Sequence, residues 1–135
     1  MTSATKPYED ALMALASHIG VDGAALLRSN ELTIDGVPVG LALEPENGAE
    51  PAIQVFCPVG TVPEESACRV HRELLRANAF GLGTGGATFG IQQDTGKVVL
   101  AQRLGTEAGA QALARTMRHL ASLALVWRRQ LGLQS

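Results

Sequence analysis

Apolar residues recur along the chain at two periods, and each period predicts one type of secondary structure. Tyr8, Leu12, Leu15 and Ile19 are spaced as on one face of a helix, which predicts a first helix over residues 7–18. Alternation of large apolar side chains with small or polar ones then predicts three strands, over residues 31–35, 39–44 and 52–57. The pattern therefore opens with a helix followed by a set of strands.

The second half of the chain repeats this succession. An apolar stripe of Ala67, Val70, Leu74 and Leu75 predicts a second helix that begins near Pro63. A hairpin over residues 87–93 and 97–104 follows, and a long helix over residues 106–131, with Thr106 as its N-cap, closes the chain. The order α-β-β-β-α-β-β-α, with hairpin connections, predicts a single α+β domain over residues 1–135, a curved antiparallel sheet with helices packed on it.

Length and composition fit one aliphatic core. The chain has 135 residues, 46% of them apolar and only 4% aromatic. No apolar run has the length of a membrane span, and we expect a soluble cytoplasmic protein.

Charge is divided unevenly between the two halves. Residues 1–67 carry ten acidic and two basic side chains, and residues 68–135 carry three acidic and nine basic ones. Because the arginines form no dense block and are not interleaved with aromatic residues, we expect no nucleic-acid surface.

The stretch AFGLGTGGATFG contains the spacing G-x-G-x-x-G at Gly81, Gly83 and Gly86. A dinucleotide-binding loop needs a strand before these glycines and a helix after them. Here the predicted order is inverted, so we expect neither ATP nor a nicotinamide cofactor to bind.

Other chemical candidates are sparse. Cys68 and His71 are three residues apart on the second helix, where a thiolate–imidazole pair is geometrically feasible. No G-x-S-x-G element or cysteine-protease signature accompanies them, and the three histidines lack metal-ligand spacing. We predict no catalytic residue, metal or cofactor, with a small cysteine/histidine enzyme as the alternative.

Three segments give the chain a family resemblance: IQVFCPVGTVP, then HRELLRANAFGLGTGGATFGIQQDTGKVVLAQRLG, then the closing helix that ends LVWRRQLG. With this order of elements, the chain resembles the class I type III secretion chaperones of the Tir-chaperone (CesT-like) family. The resemblance implies a non-enzymatic homodimer that binds the N-terminal region of a cognate secreted effector in extended form. A regulatory binding module of the same fold is the second alternative.

The resemblance also assigns surfaces. It implies a dimer interface at the middle helix, for which we predict Val70, Leu74 and Leu75. The effector-binding surface is instead predicted from the strand pattern. Alternation directs Phe56 away from Ile53 and, if the strands pair as neighbours, places it beside the small residues Gly40 and Ala42. The predicted effector-binding residues are Leu12, Ile19, Leu32, Ile34, Leu41 and Phe56.

Overall fold

The structure, a computed structural model, describes residues 5–44, 51–81 and 83–134. The helices are α1 (Thr5–Ile19), α2 (Gly23–Ser29), α3 (Ala67–Asn78) and α4 (Ala110–Leu131). The strands are β1 (Glu31–Ile34), β2 (Val37–Leu43), β3 (Ala52–Thr61), β4 (Thr88–Ile91) and β5 (Lys97–Gly105). The tip of the loop predicted between β2 and β3, residues 45–50, lies outside the described residues.

The strands form one antiparallel sheet in the order β1-β2-β3-β5-β4. The predicted α+β class and the order of the predicted elements are therefore confirmed. Alternation gives the sheet two different faces, because successive side chains of a strand point to opposite sides. On the inner face, Val39 and Leu41 of β2 and Val55 of β3 are fully buried.

Helix α4 covers the inner face. Its apolar stripe packs on the sheet, since Leu113, Met117, Leu120 and Ala124 are all buried and the helix contacts β2 and β3. Trp127 continues this stripe and packs edge-on against Phe89 of β4, with ring centroids 5.2 Å apart. One core therefore joins α4 to both ends of the sheet.

Helix α2 was missed by the sequence pattern. Asp22 caps its N-terminus through a bond from the Ala24 N–H, and Asn30 ends it in a left-handed conformation with φ of 53°. The Tyr8 hydroxyl donates to Asn30 Oδ1 at 2.6 Å and lies 3.2 Å from the Leu41 carbonyl oxygen. Burial raises the pKa of this phenol. Only Leu26 of α2 is buried, so the helix has too short an apolar pattern for periodicity to reveal it.

Two predicted helix boundaries were wrong. The last helix begins at Ala110 after Gly109, not at Thr106, because β5 continues to Gly105. The middle helix is shorter than its pattern, since single 3₁₀ turns, Glu64–Ser66 and Ala79–Gly81, occupy its two ends.

Several basic side chains of the second half have structural partners. Arg69 Nη2 donates to the carbonyl oxygen of Leu131 at 3.3 Å, and Arg128 Nε donates to that of Val59 at 2.6 Å. These bonds hold the end of α4 against α3 and β3. Part of the basic charge therefore serves the fold.

Asn78, the last residue of α3, fastens the helix to the edge strand β4. Its Nδ2 donates to the Phe89 carbonyl oxygen at 3.1 Å, and its Oδ1 accepts from the Phe89 N–H at 2.8 Å. The carboxamide thus makes the same two hydrogen bonds to Phe89 that a neighbouring strand would make. This explains the asparagine of the Leu-Leu-Arg-Ala-Asn segment.

We expect Asn78→Ala to lower the free energy of unfolding by about 1–3 kcal/mol, because it leaves two partly buried backbone groups without their partner. Urea unfolding followed by circular dichroism measures the change. Gln93→Ala, at an exposed position in the β4–β5 turn, is the control. A loss at Asn78 no greater than about 0.5 kcal/mol, the usual range for surface changes, would contradict this role.

Candidate functional site

An apolar groove lies where β1 meets α1 and α4. We call it the edge groove; its volume is about 200 Å³. The residues that line it are Leu15, Ile19, Leu32, Thr33, Ile34, Ala114, Met117 and Arg118. Leu15 and Met117 form its buried floor, and Ile19, Leu32 and Ile34 are only partly buried. The groove can therefore take apolar side chains from a partner.

The edge groove adjoins an open strand edge. Among the described residues, β1 is the outermost strand of the sheet and pairs with β2 alone. An edge strand presents backbone N–H and C=O groups that can pair with another chain. A partner segment added beside β1 would send alternate side chains to the groove side of the sheet.

Phe56 lies on the outer face of the sheet, opposite to the helices. It pairs directly with Gly40, one of the two small neighbours predicted for it, and its side chain is 37% exposed. A methyl group at Gly40 would approach the Phe56 ring carbons to within 3 Å, so the ring itself fills the space above the glycine. The outer face near Phe56 still holds a depression of about 250 Å³, bordered by Pro38, Pro58 and Lys97.

The structure divides the predicted effector-binding residues into three groups. Leu12 and Leu41 are core residues, 0% and 2% exposed, so they present no surface to a partner in this chain. Ile19, Leu32 and Ile34 meet in the edge groove. Phe56 lies on the outer face of the sheet, away from the edge groove. In the strand register, Phe56 is opposite Gly40, and Gly40 is opposite Glu31, so Phe56 does not share a face with Leu32. Roles in binding for these last four stay predictions.

The residues predicted for a dimer interface also separate. The side chains of Val70 and Leu74 are 0% and 5% exposed, because this face of α3 packs against the rest of its own subunit. Leu75, 72% exposed, borders a mostly apolar groove of about 290 Å³ between α3 and β4, which we call the helix groove. Its lining residues are His71, Leu74, Leu75, Asn78, Phe89, Gly90 and Ile91.

The glycine-rich stretch has the inverted order expected from the sequence. It follows α3 and precedes β4, so the element after the glycines is a strand and provides no helix N-terminus for a phosphate group. A methyl group on Gly83 would lie 2.9 Å from the Ala77 Cα, and Thr84 is fully buried. Gly83 therefore lets the loop pack closely on α3. That ATP and nicotinamide cofactors do not bind stays a prediction.

Cys68 and His71 are both exposed on α3, and no hydrogen bond joins them among the described residues. Cys57 is fully buried, its thiol donates to the Leu120 carbonyl oxygen at 3.4 Å, and burial raises its pKa to about 11. The described residues contain no group of three or more potential metal ligands. None of the helices they form is long and apolar enough to cross a bilayer.

The two thiols are expected to differ in reactivity. At pH 8, a thiol-reactive disulfide reagent should modify about one cysteine per folded chain and both in denaturant, because only a thiolate reacts and Cys57 stays protonated and covered. Cys68→Ser should remove the fast reaction and leave partner binding unchanged. Two rapidly reacting thiols in the folded wild-type protein, or one in folded Cys68→Ser, would contradict this difference. Loss of partner binding in Cys68→Ser with the fold retained would favour the enzyme alternative.

Comparison of the sequence with protein families decides the relationship. The profile of the Tir chaperone protein (CesT) family matches residues 11–128, most of the chain. The chain belongs to the CesT family. The match spans the edge groove, the helix groove and the glycine-rich stretch, and it confirms the resemblance drawn from the sequence. A search of curated proteins returned no significant match.

Solved structures share the CesT-family fold over nearly the whole chain. The ExsC–ExsE complex matches with a TM-score of 0.69 at 22% identity, over 97% of each chain. The HopA1–SchA chaperone–effector complex matches with a TM-score of 0.71 at 14% identity, over 96% of this chain and 98% of the other. The heterodimeric ExoU–SpcU complex from the type III secretion system of Pseudomonas aeruginosa matches with a TM-score of 0.62 at 19% identity, over 92% and 98%.

Proposed function

We propose that this chain is a type III secretion chaperone of the bacterial cytoplasm that binds the N-terminal region of a cognate effector in extended form. It acts as a homodimer, without catalysis, ATP or a cofactor, and keeps the effector soluble and ready for secretion. Membership of the CesT family supports this function, as does the fold shared with SchA, which is described in complex with the effector HopA1.

The observation that carries the proposal is the open edge of β1 beside the edge groove. An extended effector segment pairs its backbone with β1 and places every second side chain toward Ile19, Leu32 and Ile34. The backbone bonds give affinity for any extended chain, and the groove selects apolar side chains at alternate positions. Each side chain that becomes buried contributes on the order of 1–3 kcal/mol.

Charge at the rim of the edge groove adds to this selection. Arg118 borders the groove, and no ion pair occupies it among the described residues. On the outer face the basic residue Arg103 is instead held by Glu44, whose carboxylate accepts from Arg103 Nε at 2.9 and 3.0 Å. Hydrogen bonds from Arg103 and Gln54 hold the pKa of Glu44 below its ordinary value. The rim arginine is therefore available to an acidic side chain of the effector.

The test is capture from the native bacterium under secretion-inducing conditions. Tagged wild-type chain should retain an effector, and a fragment from the effector's N-terminal region should be sufficient for binding. The same chain carrying Ile34→Asp should lose it. Failure of the wild-type chain to retain any secreted protein, or capture that is equal with Ile34→Asp, would contradict the proposal.

A further inference from the structure

Phe80 is the most exposed large apolar residue of the described chain. Its side chain is 97% exposed, and its backbone has φ of 57° and ψ of 14°, a left-handed conformation that is uncommon for a residue with a bulky side chain. It lies two residues beyond the end of α3. Neither packing within the chain nor backbone preference explains a phenylalanine at this position, and glycine or asparagine would suit it better.

The helix groove lies on the same part of the molecule, and no described residue fills it. Leu75 and Ile91, 72% and 48% exposed, form its rim. Leu74, Phe89 and the aliphatic part of the lining make its surface mostly apolar. Because Phe80 is almost fully exposed, its ring does not enter this groove in its own subunit.

We propose that Phe80 of each subunit inserts into the helix groove of the partner subunit, so that two aromatic insertions hold the dimer together. The inference rests on the homodimer of the proposed function and adds the residue and the groove that form its contact. A two-fold dimer uses the same patch on both subunits, so the patch must carry both a protruding group and a matching recess. Phe80 and the helix groove supply both within one region of the chain.

Charge complementarity favours a second copy as the occupant. Glu64 and Glu65 precede α3, Arg72 lies at its middle and Arg76 in its last turn, all of them exposed, and Arg76 also pairs with Glu73 at 3.5 Å. Two α3 helices that run antiparallel about a two-fold axis bring the acidic end of each near the basic end of the other. The exposed face of α3 is thus complementary to itself in charge, which an unrelated partner would not require.

Photo-cross-linking tests the contact directly. p-Benzoylphenylalanine incorporated at position 80 keeps an aromatic side chain there, and irradiation should produce a covalent dimer. Mass spectrometry should place the cross-link within residues 71–91 of the partner subunit. The same probe at position 126, an exposed position on α4 that lines none of the grooves, should give no such product. A photoproduct from position 80 that maps to a different surface overturns the inference.

Substitution tests how much Phe80 contributes to the stability of the dimer. Phe80→Asp should weaken the dimer at least about 100-fold in analytical ultracentrifugation, as expected for loss of an aromatic anchor at each of two sites. Phe80→Leu should weaken it less than about tenfold, and Val126→Asp should leave it unchanged. A Phe80→Asp variant that dimerises like the wild type overturns the inference alone. A monomeric wild type that still retains an effector overturns the inference and the dimer, and leaves effector binding standing.

Discussion

Val70→Arg is expected to unfold the chain, whereas Leu75→Arg, five residues further along α3, is expected to leave it folded and monomeric. Val70 is fully buried, and Leu75 is 72% exposed at the rim of the helix groove. A buried unpaired charge costs several kcal/mol, which is comparable with the whole stability of a domain, about 5–15 kcal/mol. At Leu75 the guanidinium stays in water in the monomer and opposes only the approach of the second subunit.

Circular dichroism and light scattering at micromolar concentration separate the two outcomes. Val70→Arg should lose its helical spectrum and aggregate, and Leu75→Arg should keep the spectrum at half the wild-type mass. Leu75→Met, which keeps an apolar side chain, is the matched control and should remain dimeric. A folded Val70→Arg protein would contradict the burial of this stripe, and a dimeric Leu75→Arg protein would place the interface on another surface.

The sequence predicts the architecture because its long elements have strong periods. The stripe on α4, from Leu113 to Leu131, and the alternation in β3 each extend over several turns or residues. Helix α2 could not be predicted in this way, because it has only seven residues. One capping residue at each end is too little sequence signal to distinguish so short a helix from a loop. Thr106 is a favourable N-cap by type, but sheet pairing keeps the preceding residues extended through Gly105, and tertiary structure overrides local preference.

The candidate site was harder to predict, because an apolar stripe in the sequence does not show which of its residues other elements of the fold cover. Leu12 and Ile19 share one predicted helix face, yet Leu12 is in the core and Ile19 borders the edge groove. Alternation predicted that Phe56 lies beside Gly40 and Ala42 if the two strands are neighbours, and β2 and β3 are neighbours, with Gly40 opposite Phe56. Its separation from Leu32 depends on the register of β1 against β2, which the two short, similar strands do not specify.

The exposed fractions also revealed residues that the apolar pattern of the sequence did not indicate. Phe80 and Ile91 were not distinguished from the core aromatic and aliphatic residues around them, because a single apolar residue after a helix is typical of a cap contact. Only the conformation of the turn Ala79–Gly81 directs Phe80 away from its own subunit. The signal in the sequence was the unusual combination of Asn78 and the glycines that follow, which fixes this turn against β4.

A last expected result distinguishes the edge groove from the outer face as the place where the effector binds. Ile34→Asp should weaken effector binding at least about 100-fold, since it puts a charge beside both the groove and the strand edge. Phe56→Asp should weaken it less than about tenfold, because Phe56 lies on the opposite face of the sheet and does not contact a segment added beside β1. Phe56 lies on the third strand from the edge, and with strands about 4.8 Å apart an added strand would lie roughly 14 Å away.

The measurement is titration of purified wild-type and variant dimers with the N-terminal fragment of the captured effector. Val126→Asp, the same kind of change at an exposed apolar residue outside the grooves, controls for added charge. Ile34→Thr keeps the branched shape and should lose about tenfold, so that the result does not depend on one variant's stability. Thermal melts must show that each variant is folded at the temperature of the titration. If Phe56→Asp abolishes binding while Ile34→Asp retains it, the effector crosses the outer face of the sheet, and strand addition at β1 is wrong.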